Sequence, residues 1–129
     1  QCHIHSKKNS HITASSTPQN HEYGFVFDHC TLTGDTSLHL VSLGRPWRPY
    51  SKVVYMHTVM GPHIRPDGWS DWNDEKRSLT ARYAEFENTG PGAATGKRVA
   101  WAKQLTPAEA KLITVKAVLS GWDPSGKVK

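Results

Sequence analysis

Short apolar–polar alternations separated by turn chemistry run through the first two thirds of this chain. They predict strands over residues 2–5, 11–14 and 25–32. Between them lie KKNS and SSTPQNHEYG, whose Ser, Asn, Pro and Gly favour turns and loops. Residues 52–60 form the most apolar strand of the set. Residues 71–77 are polar and read as a loop. Residues 79–88 read as a strand ended by the Thr89-Gly90-Pro91-Gly92 turn. Farther on the pattern changes. Thr106-Pro107-Ala108-Glu109 has the marks of a helix start: a Thr N-cap, Pro at the first helical position and Glu three residues after the cap, so a helix should run to about residue 113. A second short helical or extended piece covers residues 115–119, and the tail SGKVK reads as frayed.

One regularity links the separate strands. Phe27-Asp28-His29-Cys30-Thr31-Leu32 lines up with Tyr55-Met56-His57-Thr58-Val59-Met60 at a shift of 28 residues, and the same shift backwards sets Cys2 under Cys30 and Ile4 under Leu32. A repeat of this size built from strands and turns predicts a solenoid, in which each coil stacks on the next and buries a continuous core. Cys2 and Cys30 then sit at equivalent positions on nearby coils, either as stacked inward thiols or as a disulfide. Strand spacing is compatible with both. The helical end would cover the last coil.

Composition narrows the class. The chain has 129 residues, enough for a single domain over 1–129. Hydrophobic residues make up 36%, and no apolar run approaches membrane-spanning length. No signal peptide is visible, and Gln1-Cys2-His3 reads like the middle of a longer chain. The net charge of +5 favours anionic partners such as nucleic acid, an acidic polysaccharide or a membrane surface, although the basic residues are scattered. No nucleic-acid-binding motif is present. The two cysteines lack metal-site spacing, and the eight histidines fit no HExxH pattern, so they are read as surface groups and no metal is expected.

The candidate chemistry concentrates in residues 43–72, LGRPWRPYSKVVYMHTVMGPHIRPDGWSDW. Arg45 lies between Gly44 and Pro46, which constrain its backbone on both sides and suit its guanidinium to bidentate recognition of a carboxylate. Trp47, Trp69 and Trp72 sit beside turns, where they either cap core edges or form a platform for sugar rings or bases. Asp28, Asp35, Asp67 and Asp71 are the available carboxylates, and Asp67 and Asp71 flank Trp69. No serine stands in a GxSxG context. Residues 90–96, GPGAATG, lack the Lys-Ser/Thr ending of a phosphate loop and read as a plain turn.

These residues match a known pattern. LGRPW at 43–47, the following YSKVVYM, GW and the second Trp at 68–72, ENTGPGAAT at 87–95, ITAS at 12–15 and the LTPAEA helix start together resemble the pectin methylesterases, in order, from Cys2 to about Pro124. The resemblance implies a mainly β fold, a right-handed parallel β-helix whose C-terminal coils end in a short helical segment. It also implies hydrolysis of galacturonate methyl esters in pectin without a metal or other cofactor. In that reaction one aspartate attacks the ester carbonyl, a second acts as general acid and then base, and glutamine side chains stabilise the oxyanion. The arginine that orients the nucleophile falls on Arg45. Trp47 would line the sugar cleft, and Trp69 or Trp72 would contact substrate.

The same resemblance exposes a gap. The family's two aspartates and its oxyanion glutamines fall upstream of the strand matching residues 1–6, and no DFIFG-like sequence occurs. Phe25-Val26-Phe27-Asp28-His29 looks similar but matches a later, non-catalytic coil, so Asp28 is not assigned as the nucleophile. The expectation is therefore a C-terminal portion of such an enzyme, inactive alone, with methyl-esterified homogalacturonan and the missing N-terminal half of the β-helix as partners. Nucleic acid and membrane are not expected as partners. Secretion or export follows from the family. A non-catalytic β-helix that binds acidic polysaccharide remains the alternative.

Overall fold

The computed structural model describes residues 1–125. Seven short strands form two parallel sheets. In the first, β1 (His3–Ser6), β3 (Thr31–Gly34) and β5 (Val59–Met60) lie in that order. In the second, the order is β2 (Phe25–Asp28), β4 (Lys52–Met56), β6 (Arg82–Phe86) and β7 (Lys103–Gln104). The register follows the repeat: Ile4 pairs with Leu32, and Phe27 with Tyr55, each 28 positions on. The next step is 30, Val53 pairing with Tyr83. A third face is held by single-residue parallel bridges, His11 to Ser42, Val41 to Ile64 and Gly44 to Trp69. Consecutive coils therefore stack into a parallel β-helix.

Side-chain alternation explains the core. Along β4, Val53 and Tyr55 point inward and are fully buried, and Leu32, Leu43, Met60, Trp69 and Tyr83 join them from neighbouring coils. Phe27 stacks on Tyr55 with ring centroids 4.5 Å apart, so like residues lie over like along the stack. Each fully buried side chain of this size contributes roughly 1.5–3 kcal/mol.

The continuous strands expected over 25–32 and 52–60 are each two strands. His29 and His57 adopt left-handed backbone angles, φ 54° and 48°, and turn the chain from one sheet into the other. The apolar alternation carries on past the corner, which is why the sequence reads as one strand. The stretch 11–14 makes only a bridge, and the strand expected over 79–88 shortens to β6, with Leu79 exposed ahead of it. Residues 71–77, expected as loop, include the start of helix α1 (Glu75–Thr80), whose N-cap Asp74 accepts a hydrogen bond from the Lys76 amide.

The helix predicted from Thr106 is α2 (Pro107–Lys111). Its capping box is complete: the Thr106 hydroxyl accepts from the Glu109 amide, and the Glu109 carboxylate accepts from the Thr106 amide. A further turn, α3 (Val115–Val118), follows. Contrary to expectation, this segment does not cover the last coil. It lies along the outer face of the second sheet, where Val26 and Val54 share a groove with Leu105 and Ile113, and Val26 and Met56 share another with Val115, Val118 and Leu119. Outward-facing apolar residues on β2 and β4 give it a surface to cover. Cys2 and Cys30 occupy equivalent positions on neighbouring coils with both thiols free, Cys30 buried and Cys2 exposed on the outermost coil. The frayed tail expected over 125–129 falls, beyond Ser125, outside the described residues. No helix among the described residues is long and apolar enough to cross a membrane.

Candidate active-site cleft

The bridge-built third face positions the site. Arg45 and Trp47 donate backbone hydrogen bonds to the carbonyls of Thr13 and Ser15 on the coil before, at 3.0 and 3.1 Å. On the coil after, the Leu43 amide donates to the Gly68 carbonyl and the Ser70 amide to the Gly44 carbonyl. Gly44 and Pro46 are buried, so Arg45 and Trp47 face outward. Only glycine fits at 44, because a Cβ there would come within 2.1 Å of the Thr13 hydroxyl oxygen.

Beside this segment lies a cleft of about 540 Å³, lined among others by His11, Arg45, Arg65, Trp69, Asp71 and Trp72. The Arg45 guanidinium carbon sits 3.6 Å above the centre of the Trp72 ring, a close cation–π contact. Its Nε is buried and has no hydrogen-bond partner. Three neighbouring arginines differ. Arg65 holds Asp67 with two hydrogen bonds, Arg77 pairs with Asp74 at 3.3 Å, and Arg98 holds Glu85 at 2.9 Å. Among the described residues, Arg45 has no carboxylate partner. Its charge is fixed in place by an aromatic face and left uncompensated.

Two further features shape the field. His11 bonds the Ser42 hydroxyl, and its pKa is lowered by burial first and then by the Arg45 and Arg65 charges, which favours the neutral ring. Arg77 donates to the Pro46 carbonyl at 3.1 Å while its guanidinium carbon lies 5.3 Å from the Trp72 ring centre, which packs the far side of the cleft wall. The Trp72-Asn73 pair has φ of 64° and 54°, a left-handed turn that swings the indole back over Arg45 before α1 begins.

The predicted aromatics separate. Trp47 is about half exposed beside the Arg48 side chain. Trp72 is part-buried in the cleft with Arg45 against it. Trp69 is only 1% exposed, stacked on Tyr83 at 4.4 Å and edge-on to Tyr55, with its indole N–H donating to Glu85 at 3.1 Å. It is a core residue with no ring face free for a sugar, whereas Trp47 and Trp72 remain partly exposed. Asp67 and Asp71 both line the cleft but are engaged locally, Asp67 by Arg65 and Asp71 by the Asn73 amide at 2.9 Å.

Sequence reasoning missed the support beneath the cleft. Glu85 and Arg98 form a buried ion pair, and Arg98 also donates to the carbonyls of Arg65, Pro66 and Gly92. It thereby holds the turn that carries Trp69 and Trp72 onto the last full coil. The available signal was Glu85 at a position two residues on from Tyr83, on the inward face of β6.

A parallel β-helix with an arginine and two tryptophans on one lateral face defines the class of molecule. A pectinesterase profile matches residues 1–122, and the chain belongs to that family. It is 39% identical over 126 residues to putative pectinesterase 11 of Arabidopsis thaliana, covering 95% of this chain and 35% of the relative. The structure of a pectin methylesterase from carrot superposes with a TM-score of 0.82 at 32% identity, over 93% of this chain and 42% of that one. A pectin methylesterase solved in complex with a hexasaccharide superposes at 0.75 with 25% identity, covering 96% of this chain and 45% of that one. The chain thus spans about a third to less than half the length of these relatives.

Proposed function

We propose that this chain supplies the arginine and aromatic side of a pectinesterase active site. In this reading, the nucleophilic aspartate, the acid–base aspartate and the oxyanion glutamines come from N-terminal coils of a longer β-helix. The observation that carries it is Arg45, whose guanidinium is clamped on Trp72 with a buried, unpartnered Nε. A carboxylate arriving there would be held ionised and oriented by a charge-assisted hydrogen bond, which is what a carboxylate nucleophile needs. Trp47 offers an exposed indole for the sugar chain, and Trp72 builds the cleft wall. The substrate would be methyl-esterified homogalacturonan, the reaction carboxylic-ester hydrolysis, and the location outside the cell.

The decisive assay is methanol release from methyl-esterified pectin. The 129 residues alone should release none, and a longer chain carrying the additional N-terminal coils should be active. Activity of the 129 residues alone would refute the division of the site. A second reading, a binding β-helix without chemistry, draws on the net charge of +5 and on the exposed Trp47 beside Arg48. It predicts polygalacturonate binding that is lost in Trp47→Ala and no methanol release in any longer form.

A further inference from the structure

Where the second sheet turns into the first, a cluster of side chains lies apart from the cleft. Three successive coils place a non-glycine residue at the corner with φ near 50°: His29, His57 and Glu87. Because the coils are in register, these residues stack above one another. The two imidazole rings are stacked with centroids 4.7 Å apart, and His57 is also packed edge-on against Phe86. Both Nδ1 atoms lie close to one oxygen, Oδ1 of Asp28, 2.8 Å from His29 and 3.0 Å from His57, the latter a hydrogen bond. On its other side, Nε2 of His57 lies 3.5 Å from a Glu87 carboxylate oxygen.

We propose that Asp28, His29 and His57 form a binding site for a divalent first-row transition ion of the zinc type. The three donor atoms lie within 4.8 Å of one another. A tetrahedral zinc ion with bonds of about 2.0–2.1 Å to nitrogen separates its donors by roughly 3.3 Å, so small rotations of partly exposed side chains bring all three into range. Two imidazoles and one carboxylate suit zinc, nickel or copper better than magnesium or calcium, which prefer all-oxygen shells. Glu87 would accept the Nε2–H of His57 and leave Nδ1 free to bind metal, the outer-shell arrangement that orients a ligating histidine. The ion would clip two adjacent coils together at a corner, with one coordination position left to water. The site shares no residue with the Arg45 cleft, so its role would be structural and independent of ester hydrolysis.

The test is titration of the protein with cobalt(II), whose visible absorption reports ligands and geometry, followed by displacement with zinc. The expected result is saturable uptake of a single ion per chain and a thermal midpoint that rises with zinc. His29→Asn and His57→Asn keep a residue type that tolerates positive φ and should each weaken binding about tenfold or more. His39→Asn, an exposed histidine outside the cluster, should bind as the parent does. Should either corner variant fold poorly by circular dichroism, Asp28→Asn puts the same question with little change in shape, and should weaken binding similarly. Absence of saturable uptake, or uptake that survives these substitutions unchanged, overturns the proposal and leaves a hydrogen-bonded corner that binds no metal.

Discussion

Arg45 holds its guanidinium carbon 3.6 Å over the Trp72 ring with no carboxylate partner among the described residues, so the site's positive charge is set before any partner arrives. In an active longer form, Arg45→Lys keeps the charge but loses the planar fork and the stacking. It should lower kcat on the order of a hundredfold while KM changes little, as a misplaced nucleophile would. Trp47→Ala should act mainly on KM. Steady-state methanol release separates the two. Histidine burial makes a second prediction. His11 and His63 both have pKa values lowered, chiefly by burial, and both ring nitrogens of His63 lack a hydrogen-bond partner. A histidine whose folded pKa lies below its unfolded value binds more protons when unfolded. Stability is therefore fully present above the unfolded value near 6.5 and is lost as pH falls toward the folded value. Urea midpoints should drop between about pH 7.5 and 5, and His63→Leu should flatten that drop. The outward placement of Arg45 is legible in the sequence because Gly44 and Pro46 constrain it locally. The burial of Trp69 is not, because Tyr55, Tyr83 and Glu85 reach it from other strands.

Elements matter to the site through what they hold in place. The turn between Arg65 and Trp69 is pinned to the last full coil by Arg98, which sits so close beneath Gly68 that a Cβ there would come within 2.6 Å of its side chain. Arg98→Met would leave Glu85 buried, charged and unpaired. The expected cost is about 3–5 kcal/mol in urea denaturation, with much of it recovered in an Arg98→Met, Glu85→Gln double variant. At the other end, Thr106→Ala removes the α2 cap and should cost about 1 kcal/mol of local stability, read as faster amide exchange over α2. These cases show what pattern reading can see at this scale. The α2 cap is written in four consecutive residues and was found. Helix α1 escapes the pattern because its Asp74 cap opens only six helical residues, none of them buried, too few for an apolar stripe to register. The corners at His29 and His57 were invisible because alternation runs straight through them, and only the backbone angle reveals the break.

At the scale of the whole stack, the 28-residue shift was enough to name a solenoid, because parallel in-register coils must repeat whatever faces inward. It could not say which coil is outermost. In the structure β1 pairs only with β3, and β2 only with β4, so both strands present a free edge on the same end of the stack. Phe25 on β2 is half exposed there, and Cys2, ahead of β1, is exposed as well. Free parallel edges with apolar neighbours are templates for pairing with another strand, and proteins normally cover or charge them. Here β1 carries two histidines and a serine but no lysine or proline to block pairing. The 129-residue chain alone should therefore self-associate edge to edge, while a longer chain with coils stacked on β1 and β2 should not. Size-exclusion chromatography with light scattering distinguishes them. Concentration-dependent oligomers are expected for the short chain, and Ile4→Lys, which sets a charge in the open core beside that edge, should suppress association at some cost in stability. A monodisperse monomer of the short chain at high concentration would mean that the exposed coil blocks strand addition by itself, and would overturn this prediction.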